Sequence, residues 1–185
     1  VPWSILGGLV AAAVPAMLLY AKNDPVRLRR LTSFLDPWAD ARDSGFHIIQ
    51  SLLAIGSGGP FGVGLGMSRQ KFQYLPEQHT DFIFAIIGEE LGLLGTGLVV
   101  FLYAVLGARG FRASFRAPDA FGSLLAAGVT CMITLQAAMN IAVVTGSMPI
   151  TGITLPLISS GGSSLLPMLA GVGILLNISR HAQVR

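Results

Sequence analysis

From Ala120 to Ser179 the chain contains no Asp, Glu, Lys or Arg. A soluble domain must wet its surface and carries roughly a quarter charged residues. An uncharged run of this length leaves a lipid bilayer as the solvent it can face. The rest of the chain agrees, with 52% hydrophobic residues, 11% charged residues and a mean hydropathy of +0.69. The net charge is +3 and no basic tract is present, which argues against a nucleic-acid partner. The lone Cys131 lies in an apolar run, can form no internal disulfide and reads as core filler. Val1 is not a start methionine and opens an apolar run, so the chain is expected to be a piece of a larger protein. That first run lacks the basic flank and small-residue cleavage site of a signal peptide.

Crossing a hydrocarbon core of about 30 Å takes roughly 20 residues. Four stretches qualify: Trp3–Ala21, Phe82–Gly107, Phe121–Val144 and Ser160–Ser179. The fold class is therefore an all-α, polytopic integral membrane bundle. His47–Gly56 is apolar but too short to cross, and is expected to be a re-entrant or interfacial helix within a long loop over 22–81. Pro25–Trp38 alternates apolar residues with Arg27, Arg29 and Arg30, the pattern of a helix lying on the membrane surface. The segment 108–119 holds Arg109, Arg112 and Arg116 against Asp119 alone, and the tail holds Arg180 and Arg185. Both belong on the cytoplasmic side by the positive-inside rule, which makes loop 22–81 external.

Three features of that loop bear chemistry. The stretch 56-GSGGPFGVGLG-66 could bring backbone close to a phosphate, or be a flexible turn at the interface. Arg69 and Lys71 follow it, as snorkelling cations or as partners for an anionic ligand such as a pyrophosphate. The stretch 74-YLPEQHTDFIFAIIGEE-90 then runs from polar residues straight into an apolar helix. Thr80 or Asp81 is suited to N-cap that helix, where the dipole favours an ionised carboxylate. Glu89 and Glu90 would lie about 12 Å below its mouth. An intramembrane acid costs about 2.5–3.5 kcal/mol on insertion scales, so these two need polar surroundings.

The block 45-GFHIIQSLLAIGSGGPFGVGLGMSRQKFQYLPEQHTDFIFAIIGEELGLLG-95 closely resembles the RodA/FtsW/SpoVE (SEDS) family. The block 140-NIAVVTGSMPITGITLPLISSGGSSLL-166 resembles that family's last external loop. The GVGLG-x-SRQK wording is closer to the division and sporulation branch, although Ser160 stands where that branch usually has an aromatic residue. The resemblance implies that residues 1–185 are the C-terminal, four-span portion of a single ten-span domain. It implies a peptidoglycan glycosyltransferase that polymerises lipid II outside the bacterial cytoplasmic membrane. The implied partners are a class B penicillin-binding protein, other divisome proteins and membrane lipids. The family's essential acid matches Asp81. Arg69, Lys71, Glu77, His79, Gln50, Ser57, Gly58 and Gly59 form the expected substrate-binding set. Glu89, Glu90, Ser159, Gly161 and Gly162 are expected to support it. No cofactor follows from the residues, although a divalent cation such as Mg²⁺ would help to neutralise a pyrophosphate.

The chemistry is consistent with one acid. A glycosidase needs two carboxylates because its leaving alcohol must be protonated. A pyrophosphate leaving group needs only charge neutralisation, so one general base suffices. Two rivals use the same residues differently. A flippase for the lipid-linked precursor would depend on the deep acids Glu89 or Glu90. A non-catalytic scaffold recruiting the transpeptidase would depend on none of them.

Overall fold

The computed structural model describes residues 5, 7, 8, 11–13, 15, 34–41, 45–68 and 81–181. Among them the secondary structure is helical throughout: α1 (Phe46–Gly58), α2 (Ile83–Phe115), α3 (Ala120–Val144), α4 (Gly162–His181) and a short 3₁₀ turn at Pro37–Asp40. The last three are long and apolar enough to cross a membrane, whereas α1 is not. The described residues of the first expected span, from Ile5 to Pro15, are helical; its remainder lies outside them.

The segment 108–119, expected as a loop between two spans, is helical as far as Phe115. Helix α2 runs past Gly107 to Phe115, taking Arg109 and Arg112 with it. Nothing between Gly107 and Phe115 breaks a helix, since Ala and Arg are good formers and no proline intervenes until Pro118. At 33 residues, α2 spans about 50 Å, so its basic end emerges beyond a 30 Å hydrocarbon core. The connection to α3 shrinks to 116–119, and the Asp119 carboxylate caps α3 by accepting from the Gly122 amide at 2.8 Å. Chain direction therefore reverses at each connection, and the C-terminal ends of α2 and α4 share one end of the bundle. The basic residues Arg112, Arg180 and His181 lie in those last turns, where helix dipoles favour positive charge.

Helices α2 and α3 approach closely because small residues face each other. A side chain on Gly110 would overlap Thr130, whose hydroxyl is occupied by the Ala126 carbonyl. Two buried clusters fill the bundle. One, at the end bearing Asp81, gathers Ala54, Phe82, Phe84, Ala137, Val144 and Leu155. The other, toward the basic end, gathers Ala126, Ile133, Met168 and Leu175. Outward-facing Leu98, Phe101, Leu124, Leu135 and Leu166 stay exposed on the three long helices, as a lipid-facing surface requires. Helix α1 runs beside the first turns of α2, from His47 stacked on Phe82 to Gly58 pressed against Gly88. It thereby descends about two helical turns from the mouth of α2.

Candidate functional site

The site is assembled where the start of α2 meets the loop from Thr145 to Gly161. Thr80 or Asp81 was expected to cap this helix; Thr80 lies outside the described residues, and for Asp81 the expectation is corrected. The cap position is Phe82, which makes no side-chain capping bond, and Asp81 stands one residue before it. The Asp81 backbone is held instead from α3. The Asn140 amide nitrogen donates to the Asp81 carbonyl at 2.8 Å and to the Ile153 carbonyl at 2.6 Å. An Asp81 carboxylate oxygen lies 3.6 Å from where a β-carbon on Gly152 would begin. Gly152 has φ +70°, the left-handed region that favours glycine. One half-buried acid thus sits at the helix mouth, facing a turn with no side chain.

That loop is tied down along its length. Gln136 donates to the Thr154 carbonyl at 3.1 Å, and the Leu155 amide donates to the Ser159 hydroxyl at 2.8 Å. The Tyr103 hydroxyl, from the middle of α2, donates to the Pro156 carbonyl. Between these anchors Leu157 has φ +65°, the single left-handed non-glycine among the described residues. Such a conformation costs of order 1–3 kcal/mol and persists only where its surroundings over-determine it. Ser159 therefore acts as an internal strut of the turn. Gly161 precedes α4, and its carbonyl accepts the amides of Ser164 and Leu165, both at 3.0 Å. Gly162 begins the helix.

Deeper in, the glycine-rich turn does structural work that neither expected reading included. Helix α2 is broken at Gly92, with φ 67° and ψ −160°. A continuous helix would bond the Leu93 amide to the Glu89 carbonyl, and the Leu94 amide to the Glu90 carbonyl. The turn takes over all four groups. The Val63 and Gly64 amides donate to the Glu89 and Glu90 carbonyls at 2.9 and 3.1 Å. The Leu93 and Leu94 amides donate to the Gly59 and Pro60 carbonyls at 2.9 and 3.2 Å. Glycine is needed for contact: a β-carbon on Gly58 would strike the Gly88 carbonyl, and one on Gly62 the Glu90 carbonyl. These amides brace a helix break and are already used.

The brace fixes the deep acids. Glu89 is 3% exposed, and the hydroxyl of buried Ser68 donates to its carboxylate. This is the polar partner that an acid in an apolar span requires. On its neighbour Glu90, Oε1 is buried without a hydrogen-bond partner among the described residues. The remaining expected residues lie on α1 or outside the described set. Ser57 donates to the Ala54 carbonyl of its own helix at 2.9 Å. Gln50 is half-buried on α1. Arg69, Lys71, Glu77, His79 and Thr80 lie outside the described residues. Sequence reasoning passed over Asn140, Gln136 and Ser51, the last of which bonds α1 to the Val144 carbonyl at 3.0 Å. Polar side chains in an uncharged span were the available signal for the first two.

Fold and site together define a polytopic membrane protein with an acid held at a helix mouth by a returning loop. Comparison with known proteins goes further. The family model described as "Cell cycle protein", covering FtsW, RodA and SpoVE, matches residues 1–184, so the chain belongs to that family. It is 58% identical over 159 residues to stage V sporulation protein E of Bacillus subtilis (strain 168), covering 86% of this chain and 43% of that one. It is 50% identical over 176 residues to the probable peptidoglycan glycosyltransferase FtsW of Geobacter sp. (strain M18), covering 95% of this chain and 47% of that one. The chain thus spans rather less than half the length of these relatives. A solved structure described as the structural coordination of polymerization and crosslinking by a peptidoglycan synthase complex matches with TM-score 0.72 and 31% identity. That match covers 95% of this chain and 48% of the solved one. A mutant of the rod shape determining protein RodA of Thermus thermophilus matches with TM-score 0.55 and 38% identity, over 73% of this chain and 41% of that one.

Proposed function

We propose that the protein carrying this chain is a peptidoglycan glycosyltransferase that polymerises lipid II on the external face of the cytoplasmic membrane. The observation that carries the reading is Asp81: a carboxylate at the mouth of a membrane helix, its backbone clamped by Asn140 and its side chain turned to Gly152. At that depth it reaches a sugar in water while a prenyl tail stays in lipid. Asp81 takes the proton of the acceptor 4-hydroxyl as that oxygen attacks the anomeric carbon of the undecaprenyl-pyrophosphate-linked donor. The bond to undecaprenyl pyrophosphate breaks with inversion, and the pyrophosphate departs with the bonding electron pair. Arg69 and Lys71 neutralise the departing charge. A divalent cation such as Mg²⁺ would add to that neutralisation. Relatives named as peptidoglycan glycosyltransferases at about half identity support the reaction class. The likeness to a polymerization and crosslinking complex supports a class B penicillin-binding protein as partner.

One observation favours the flippase reading: a buried acid, Glu89, beside a broken membrane helix. Purified full-length protein incubated with lipid II separates the two. The polymerase reading predicts glycan strands that lengthen with time. Lipid II crossing protein-containing vesicles with no strand formed would favour the transporter.

A further inference from the structure

We propose that Asn140 is the positioning residue for Asp81, clamping its backbone to the return loop so that the carboxylate is held over Gly152. The inference rests on the proposed role of Asp81 as general base.

Asn140 lies one turn before the end of α3 and is 1% exposed. Its amide nitrogen spends both hydrogens on carbonyls of two separate segments, at Asp81 and at Ile153. The amide orientation follows from its neighbours, because the reverse would set an oxygen against two carbonyl oxygens. Its own Oδ1 is buried without a partner among the described residues, an arrangement that costs stability. A leucine would fill the volume without that orphaned oxygen, but would remove the amide that bonds both the Asp81 and Ile153 carbonyls. The geometry makes sense as a device for placing Asp81. Gly152 sits one residue from the clamped Ile153 carbonyl, and the Asp81 carboxylate lies against it. One amide therefore fixes both sides of the contact. A displacement of about 1 Å at a reacting group can cost about 10²-fold in rate.

Gln136 provides a matched control. It ties the same loop to α3 through the Thr154 carbonyl rather than through Asp81. The test measures initial rates of glycan formation against lipid II concentration, and thermal midpoints, for the full-length protein. The variants are Asn140→Ala, Asn140→Asp, Gln136→Ala and Asp81→Asn. Asn140→Ala is expected to lower kcat about 10–100-fold with KM within about threefold, and Gln136→Ala to keep kcat within about threefold. Asn140→Asp recovers one donor when its carboxyl is protonated, so its rate relative to wild type should rise as pH falls from about 8 to about 5.5. That readout stands even if Asn140→Ala fails to fold.

Wild-type kcat in Asn140→Ala, with Asp81→Asn inactive, overturns the positioning role and leaves the polymerase reading intact. Equal losses in Asn140→Ala and Gln136→Ala also overturn it, because the loop alone is then what matters. So does a pH-independent Asn140→Asp ratio. Wild-type activity in Asp81→Asn defeats the proposed role of Asp81 as general base, on which the positioning role rests.

Discussion

Asp81 and Glu89 are both acids of the same helix region, and their surroundings assign them different work. Asp81 is half-buried at the mouth with its carboxylate toward an open glycine, whereas Glu89 is enclosed two turns down and holds the Ser68 hydroxyl. Ser68→Ala removes a partner from a buried carboxylate and should cost about 1–3 kcal/mol, seen as a lower thermal midpoint. Glu89→Gln keeps an acceptor for Ser68 and should retain measurable glycan synthesis; complete loss would move the chemistry deeper than proposed. The sequence exposed both acids, because charge in an apolar run is conspicuous. It did not expose Asn140, since an amide carries no charge and its two partners lie 59 and 13 residues away.

At the level of elements, α2 is two helical segments joined at Gly92 and spliced by the turn after α1. Sequence alone reads GEELGLLG as uninterrupted helix, and it reads the glycines at 56–66 as either a ligand cradle or a loose turn. Neither segment's purpose is visible without the other, because the break and its brace are about thirty residues apart and share their hydrogen bonds. Gly92→Ala places a side chain at φ +67° with a β-carbon 2.7 Å from the Gly59 carbonyl oxygen. It should cost about 3 kcal/mol or more, combining left-handed strain with backbone overlap. Gly56→Ala meets nothing within 4 Å inside α1 and should be neutral or stabilising by up to about 1 kcal/mol. Equal thermal midpoints for the two variants would mean that the brace contributes little.

For the whole molecule, hydropathy made the number and type of described spans legible, since lipid demands long apolar helices whatever they pack against. It read 108–119 as a loop where α2 continues to Phe115, because a helix can continue past the hydrocarbon as long as its residues permit. The basic ends of α2 and α4 share one end of the bundle, and the Asp81 site lies at the other. The proposed external site requires the basic end to be cytoplasmic, as the positive-inside rule expects. In a background with Cys131→Ser, a membrane-impermeant maleimide applied to intact cells should label Met148→Cys and spare Pro118→Cys. The reverse pattern would put Asp81 on the wrong side for an extracellular polymer. The central claim is that Asp81 performs the proton transfer of glycan synthesis from that face. Its most direct test is the rate of lipid II polymerisation by full-length Asp81→Asn that inserts as well as the wild type. Loss of a general base predicts a fall of about 10²–10⁴-fold. A rate within about threefold of wild type would contradict the account.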